Sequence, residues 1–189
     1  MTKRVAVLIS GRGSNLKALL DAQQDAYEIV LVISNTPDAD GLAIARAAGV
    51  EALTIDHKPF GKDREAFERA LDGALRARAV ALVALAGFMR VLTPFFVTAW
   101  AGRLVNIHPS LLPKYPGTKT HARALEAGDA EHGCTVHLVV EEVDAGAILG
   151  QARMPILPGD TPATLAERVL TLEHALYPRC LADLARTTP

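Results

Sequence analysis

Five short apolar runs punctuate the N-terminal part of the chain, at residues 5–9, 29–33, 52–55, 80–86 and 104–107. Each is continuous rather than alternating, so each reads as a strand covered on both faces. Helical patterns lie between them. Leu16, Leu19 and Leu20 share one helix face; Phe67, Ala70, Leu71, Ala74 and Leu75 share another. Strand and helix in repeated alternation predict a doubly wound, mostly parallel α/β sheet with helices on both faces. The later part changes character. Residues 108–118 hold Pro109, Pro113, Pro116 and Gly117 and read as a loop. Strand-like stretches follow at 135–140 and 148–156, joined closely enough to pair antiparallel. A last helix opens near Thr161-Pro162, with Leu165, Val169, Leu172 and Leu176 as its apolar stripe. Pro178 is expected to end or kink it.

The 189 residues suit a single domain, 1–189, with a full core. Half are hydrophobic and 22% are charged, which excludes a disordered chain. A net charge of -1 gives no pull toward nucleic acid or an acidic membrane surface. Cys134 and Cys180 are the two cysteines, far apart, so neither a disulfide framework nor a CxxC metal site is expected. The apolar run at 5–9 is too short for a signal-peptide core. The longest apolar run, 79–89, falls short of the roughly 18 residues that a membrane span needs. The expectation is a soluble cytoplasmic protein.

Gly11-Arg12-Gly13-Ser14-Asn15 follows the first strand and opens the first helix. Glycines there let the backbone approach an anion at the helix N-terminus. A dinucleotide fingerprint would need a third glycine where Leu16 stands, and an acidic residue ending the second strand, where Ser34 and Asn35 stand. A single phosphate monoester therefore fits better than a dinucleotide. A tight turn with Ser14 as helix cap explains the pattern equally well.

Asn106 and His108 flank one apolar residue at the end of a strand, so alternation puts both on one face. Open α/β sheets bind ligands at the carboxyl ends of their strands. Histidine moves protons near neutral pH, and asparagine can donate to a developing oxyanion without titrating. A surface histidine at a strand end is the plain alternative, but a polar pair followed by a proline-fixed loop favours function. Asp144, before Ala145-Gly146, reads first as a turn residue. Placed near His108, its carboxylate would favour the imidazolium. His137, inside a strand, reads as a satisfied structural histidine. His121 and His132 flank a short helix and read as surface. Glu173, beside His174 on the last helix, reads by default as part of a solvated face. No group has metal-ligand spacing, so no metal is expected.

Together the segments 9–16, 85–90 and 106–117 resemble the phosphoribosylglycinamide formyltransferases, within the wider 10-formyltetrahydrofolate family. Gly133-Cys134-Thr135-Val136-His137, Val143-Asp144-Ala145-Gly146 and Glu173-His174-Ala175-Leu176-Tyr177-Pro178 continue the match in order. The resemblance implies that Gly11, Arg12, Gly13, Ser14 and Asn15 cradle the phosphate of glycinamide ribonucleotide, and that Glu173 helps hold it. It implies a catalytic trio of Asn106, His108 and Asp144. It implies folate contacts at Arg64, Met89, Arg90, Val91, Leu92 and Asn106, with Val140, Glu141 and Asp144 lining the pteridine pocket. The co-substrate would be 10-formyltetrahydrofolate, the product a formylated purine precursor, and a homodimer is compatible with this. Ala147, Leu170 and Lys119 depart from residues common in the family, and the last helix is followed by a short tail. Three other readings stand beside this one. A methionyl-tRNA formyltransferase should carry a further tRNA-binding domain and a basic surface. A formyltetrahydrofolate hydrolase should carry an N-terminal regulatory domain. A nucleotide-binding module without activity would need only the glycine loop, and would leave Asn106, His108 and Asp144 without a shared purpose.

Overall fold

The computed structural model describes residues 2–23 and 25–188. Its strands are β1 (Lys3–Ile9), β2 (Tyr27–Ser34), β3 (Glu51–Thr54), β4 (Leu82–Leu85), β5 (Leu104–His108), β6 (Glu131–Leu138) and β7 (Ile148–Pro155). Its helices are α1 (Ser14–Asp21), α2 (Asp40–Ala47), α3 (Arg64–Arg76), α4 (Pro94–Ala99), α5 (Thr120–Glu126) and α6 (Pro162–Thr187). The strands form one sheet in the order β3-β2-β1-β4-β5-β6-β7. The first five run parallel; β6 and β7 are antiparallel to their neighbours.

The continuous apolar runs have the expected cause. In β1, Val5, Val7 and Ile9 join one core, under α1 and α6, while Ala6 and Leu8 join a second, under α3 and α4. Both faces are dry from Val5 to Ile9, so that stretch carries no polar residue, and the charged Lys3 and Arg4 sit at its open start. The chain winds outward from β1 to β3, then returns to β4 on the other side of β1. The connections leaving β1 and β4 therefore diverge, and a crevice opens at their carboxyl ends. Among the described residues no helix is long and apolar enough to cross a membrane.

Two elements differ from expectation. β6 begins at Glu131 rather than at residue 135, because 131–134 pair with β7 as far as Pro155. The polar look of Glu131-His132-Gly133 hides that pairing. Helix α6 is capped by Thr161 as expected; of the end or kink expected at Pro178, the end does not occur, and the helix runs on to Thr187. Leu176, Tyr177, Cys180 and Leu181 are buried around the proline, and this packing carries the helix past the one missing N–H. The Tyr177 hydroxyl donates to the carbonyls of Leu85 (2.9 Å) and Val105 (3.1 Å), which ties α6 to β4 and β5 beneath the crevice.

Candidate active site

β5 delivers Asn106 and His108 to the carboxyl edge of the sheet. Antiparallel pairing sets His137 opposite Asn106 and Thr135 opposite His108. The turn after β6 then returns Asp144 to the same place. Asp144 holds a left-handed backbone (φ 56°), a conformation that aspartate tolerates better than most residues. Gly146 makes the turn feasible: a Cβ there would lie 1.8 Å from the Leu138 carbonyl oxygen. Asp144 Oδ2 accepts from the Gly117 N–H (2.8 Å) and lies 3.3 Å from His108 Nδ1. Its Oδ1 lies 3.5 Å from His137 Nε2. Burial pushes the Asp144 carboxyl up, but hydrogen bonds from His137 and Gly117, with the charges of His108 and His137, outweigh it. The carboxyl is held below its usual value, and is ionised at neutral pH.

The loop 109–117 is fixed from below. Buried Thr135 donates to the Ser110 carbonyl (2.7 Å) and accepts from the Leu112 N–H (3.0 Å). Gln151 donates to the Leu112 carbonyl, and Ser110 to that of Lys114. The Tyr115 carbonyl is thereby set 2.9 Å from His108 Nε2. His108 Nε2 thus faces a carbonyl that can only accept, while its Nδ1 lies at ion-pair distance from the Asp144 carboxylate. A cavity of about 490 Å³ lies between this loop and β6–β7, but Asn106, His108 and Asp144 are not in its walls. The trio lies instead at the carboxyl end of β5 and the turn after β6, with His108 and the Asp144 side chain largely buried.

The glycine loop meets the last helix. Gly13, not Ser14, is the N-cap of α1, with φ 77° and no side-chain cap, which corrects the capping role of Ser14. The first N–H groups of α1 have no partner within the helix. Asn15 donates to Glu173 (2.6 Å), joining residues 158 positions apart. Glu173 is buried, not solvated, and burial raises its carboxyl despite the bond from Asn15. The buried Oδ1 of Asn15 and Nε2 of His174 have no hydrogen-bond partner among the described residues. Glycine at position 13 also serves helix packing: a Cβ there would stand 2.7 Å from the Gly41 Cα of α2. Gly13→Ala is therefore expected to cost about 2 kcal/mol of stability without any ligand, measured by urea unfolding. An unchanged midpoint would mean that α2 yields freely.

The third segment leaves β4. Met89 and Val91 are 79% and 61% exposed although apolar, while Leu92 turns inward. Val140 and Val143, after β6, are exposed as well. Val139 packs against the apolar cluster that contains Leu92, so both segments border the core under α3 and α4. Apolar side chains facing water beside buried titratable groups suit an aromatic ligand. Arg64 donates to the Val91 carbonyl, and the Arg90 guanidinium lies 5.5 Å from the Phe67 ring centre. Glu141 is exposed on the turn.

His137 is buried and satisfied, as expected of a structural histidine: Nδ1 lies 2.9 Å from the Leu138 carbonyl oxygen, while Nε2 lies 3.5 Å from Asp144 Oδ1 and 3.4 Å from the Asn106 amide. The last two arrive from a turn and β5, so nothing local announces them. His132 is buried rather than on the surface, and its Nε2 meets Nδ1 of half-buried His121 at 3.1 Å. The four-residue extension of β6 is what draws it inside. Among the described residues no group of three acidic, histidine or cysteine side chains could hold a metal.

The chain matches the formyl transferase family model over residues 3–181. It is 54% identical over 191 residues to the trifunctional purine biosynthetic protein adenosine-3 of Drosophila melanogaster, covering 98% of this chain. The chain spans only 14% of that relative's length. It is 49% identical over 184 residues to the phosphoribosylglycinamide formyltransferase of Escherichia coli (strain K12), covering 96% of this chain and 86% of that protein. The crystal structure of glycinamide ribonucleotide transformylase 1 from Symbiobacterium toebii superposes with a TM-score of 0.94 at 45% identity, covering 98% of this chain and 88% of that one. The chain belongs to the formyl transferase family, among the phosphoribosylglycinamide formyltransferases.

Proposed function

We propose that this chain transfers a formyl group from 10-formyltetrahydrofolate to the amine of glycinamide ribonucleotide. The observation that carries the reading is the convergence of Asn106, His108, Asp144 and His137 on one edge of the sheet. The glycine loop with Glu173 and the segment after β4 open onto the same edge. A phosphate at α1 would take the free N–H groups and the Arg12 side chain, with Ser14 beside them. Glu173 and Asn15 would offer polar atoms to the ribose. The folate would lie on Met89, Val91 and Val140, the apolar groups now facing water, with Arg64, Arg90, Leu92 and Glu141 around them.

10-Formyltetrahydrofolate supplies the formyl carbon. A carbon–nitrogen bond forms to the acceptor amine, the bond from the formyl carbon to the folate nitrogen breaks, and one proton passes between the nitrogens. The protein aligns the two ligands, which removes several kcal/mol of barrier. Asn106 and the imidazolium of His108 answer the charge that develops on the formyl oxygen. Asp144, held ionised, balances that imidazolium and helps relay the proton. The Nε2–H of His108 is engaged by the Tyr115 carbonyl, so delivering it to a bound acyl oxygen requires the loop to release that one bond. We read residues 1–189 as one cytoplasmic formyltransferase domain that binds two small molecules and no nucleic acid.

The test is tetrahydrofolate release from 10-formyltetrahydrofolate with and without glycinamide ribonucleotide. Release is expected only with the ribonucleotide. Release without it would make the chain a hydrolase. No release under either condition would leave a binding module.

A further inference from the structure

We propose that Glu68 is a positioning residue that sets the folate-binding segment 89–93 from behind; this rests on the functional reading above. Glu68 lies on the apolar face of α3, between Phe67 and Leu71, and is 1% exposed. A carboxylate in such a place is costly unless hydrogen-bonded, and an apolar residue would fill the space more favourably. Both oxygens are engaged by a single residue of the segment. Oε1 accepts from the Thr93 N–H (2.8 Å), and Oε2 from the Thr93 hydroxyl.

Thr93 is the N-cap of α4, where a threonine ordinarily turns its oxygen to the N–H groups of its own helix. Here the hydroxyl does not cap and points to Glu68 instead. One turn earlier on α3, Arg64 takes the Val91 carbonyl. At the other end of the segment the Met89 N–H donates to Ser10 Oγ (2.8 Å), which in turn donates to Asn35 (2.5 Å). The segment carries no regular secondary structure and turns apolar side chains to water, so its exposed face cannot fix it. It is fixed by these four hydrogen bonds from the inner side, and buried Glu68 supplies two of them. A residue in this role should affect the ligand seated on 89–93 and spare the one seated on α1.

The test compares Thr93→Val, Glu68→Leu and Glu68→Gln with the wild type. For each, KM is measured for 10-formyltetrahydrofolate and for glycinamide ribonucleotide, with kcat, and tetrahydrofolate binding is measured directly. Thr93→Val and Glu68→Leu are expected to raise the folate KM and weaken tetrahydrofolate binding by about tenfold, with the ribonucleotide KM within about twofold. Glu68→Gln should stay within about threefold of wild type, because a carboxamide can accept from the Thr93 N–H and donate to its hydroxyl. Thr93→Val keeps the branched shape and decides the matter if Glu68→Leu fails to fold. Equal rises in both KM values, or an unchanged folate KM in folded Thr93→Val, would overturn the role of Glu68 alone. A wild type that does not bind tetrahydrofolate would overturn the functional reading and this proposal together.

Discussion

Asp144→Asn is expected to slow turnover by about a hundredfold to ten-thousandfold while both substrates still bind within about threefold of wild type. Asparagine is the right probe because it tolerates the left-handed backbone at this position, and its oxygen can still accept from the Gly117 N–H. What it removes is the negative charge between His108 and His137. That charge matters most when the formyl oxygen becomes anionic and the imidazolium must be held against it, so the loss falls on kcat rather than on binding. His108→Ala should show the same profile. The double variant should cost less than the sum, since the two side chains act as a unit. In wild type the acid limb that Asp144 controls should lie below the usual carboxylate range, because its carboxyl is held down. Steady-state kinetics over pH, with equilibrium binding of each substrate, measures all of this. Near-normal turnover in Asp144→Asn would reduce Asp144 to a turn residue and leave His108 without its counter-ion.

What the sequence made legible follows from how local each cause is. The β1, β2, β4 and β5 runs are apolar because both sheet faces are covered, and a short strand carries that signal by itself, whereas the edge strand β3 is only half-buried. Asn106 and His108 could be placed on one face because a strand has a period of two. The cap at Thr161 is likewise a short-range signature. Apart from the cap of α1, where Gly13 and not Ser14 caps, the misses are long-range. His132 is polar and next to glycine, and only the pairing of 131–134 with β7 shows that it is inside. Pro178 breaks a helix considered alone, but tertiary packing overrides it. Glu173 and Asn15 are far apart in the chain, and their hydrogen bond exists only because α1 and α6 cover the same sheet face. Glu68 was invisible for the same reason: a charged residue in an amphipathic helix looks solvated until the loop after β4 is laid over it. Gly13 illustrates a different limit. Its need for glycine is real, but its close neighbour is the Gly41 backbone, so the motif serves α2 as well as any phosphate.

The buried histidine pair sets the last expected result, a loss of stability as pH falls from about 6.5 toward about 4. His132 Nε2 and His121 Nδ1 are 3.1 Å apart and can share one proton but not carry two. Burial lowers His132 to about 4; repulsion from His121 adds to this, and the Asp129 carboxylate opposes it. His121 is lowered too, by burial and then by the charge of His108. The sign follows from linkage. In the unfolded chain these rings bind protons near pH 6.5, while in the native protein they resist, so acid favours the unfolded state. The contribution is complete above about pH 6.5 and is lost on the way down to the native value. For His132 alone this is worth about 3 kcal/mol. Glu173 works in the opposite sense, since its raised carboxyl gains a proton in the native state first. Asp129 holds Lys114 and Tyr115, so strain at His132 should reach the loop that carries the Tyr115 carbonyl against His108. His132→Gln should flatten the fall. Calorimetric Tm values at about pH 7.5 and about pH 4.5 compare the two chains, and amide exchange over residues 111–132 reports the local opening. Parallel Tm losses in wild type and His132→Gln would show that the pair does not govern the acid response.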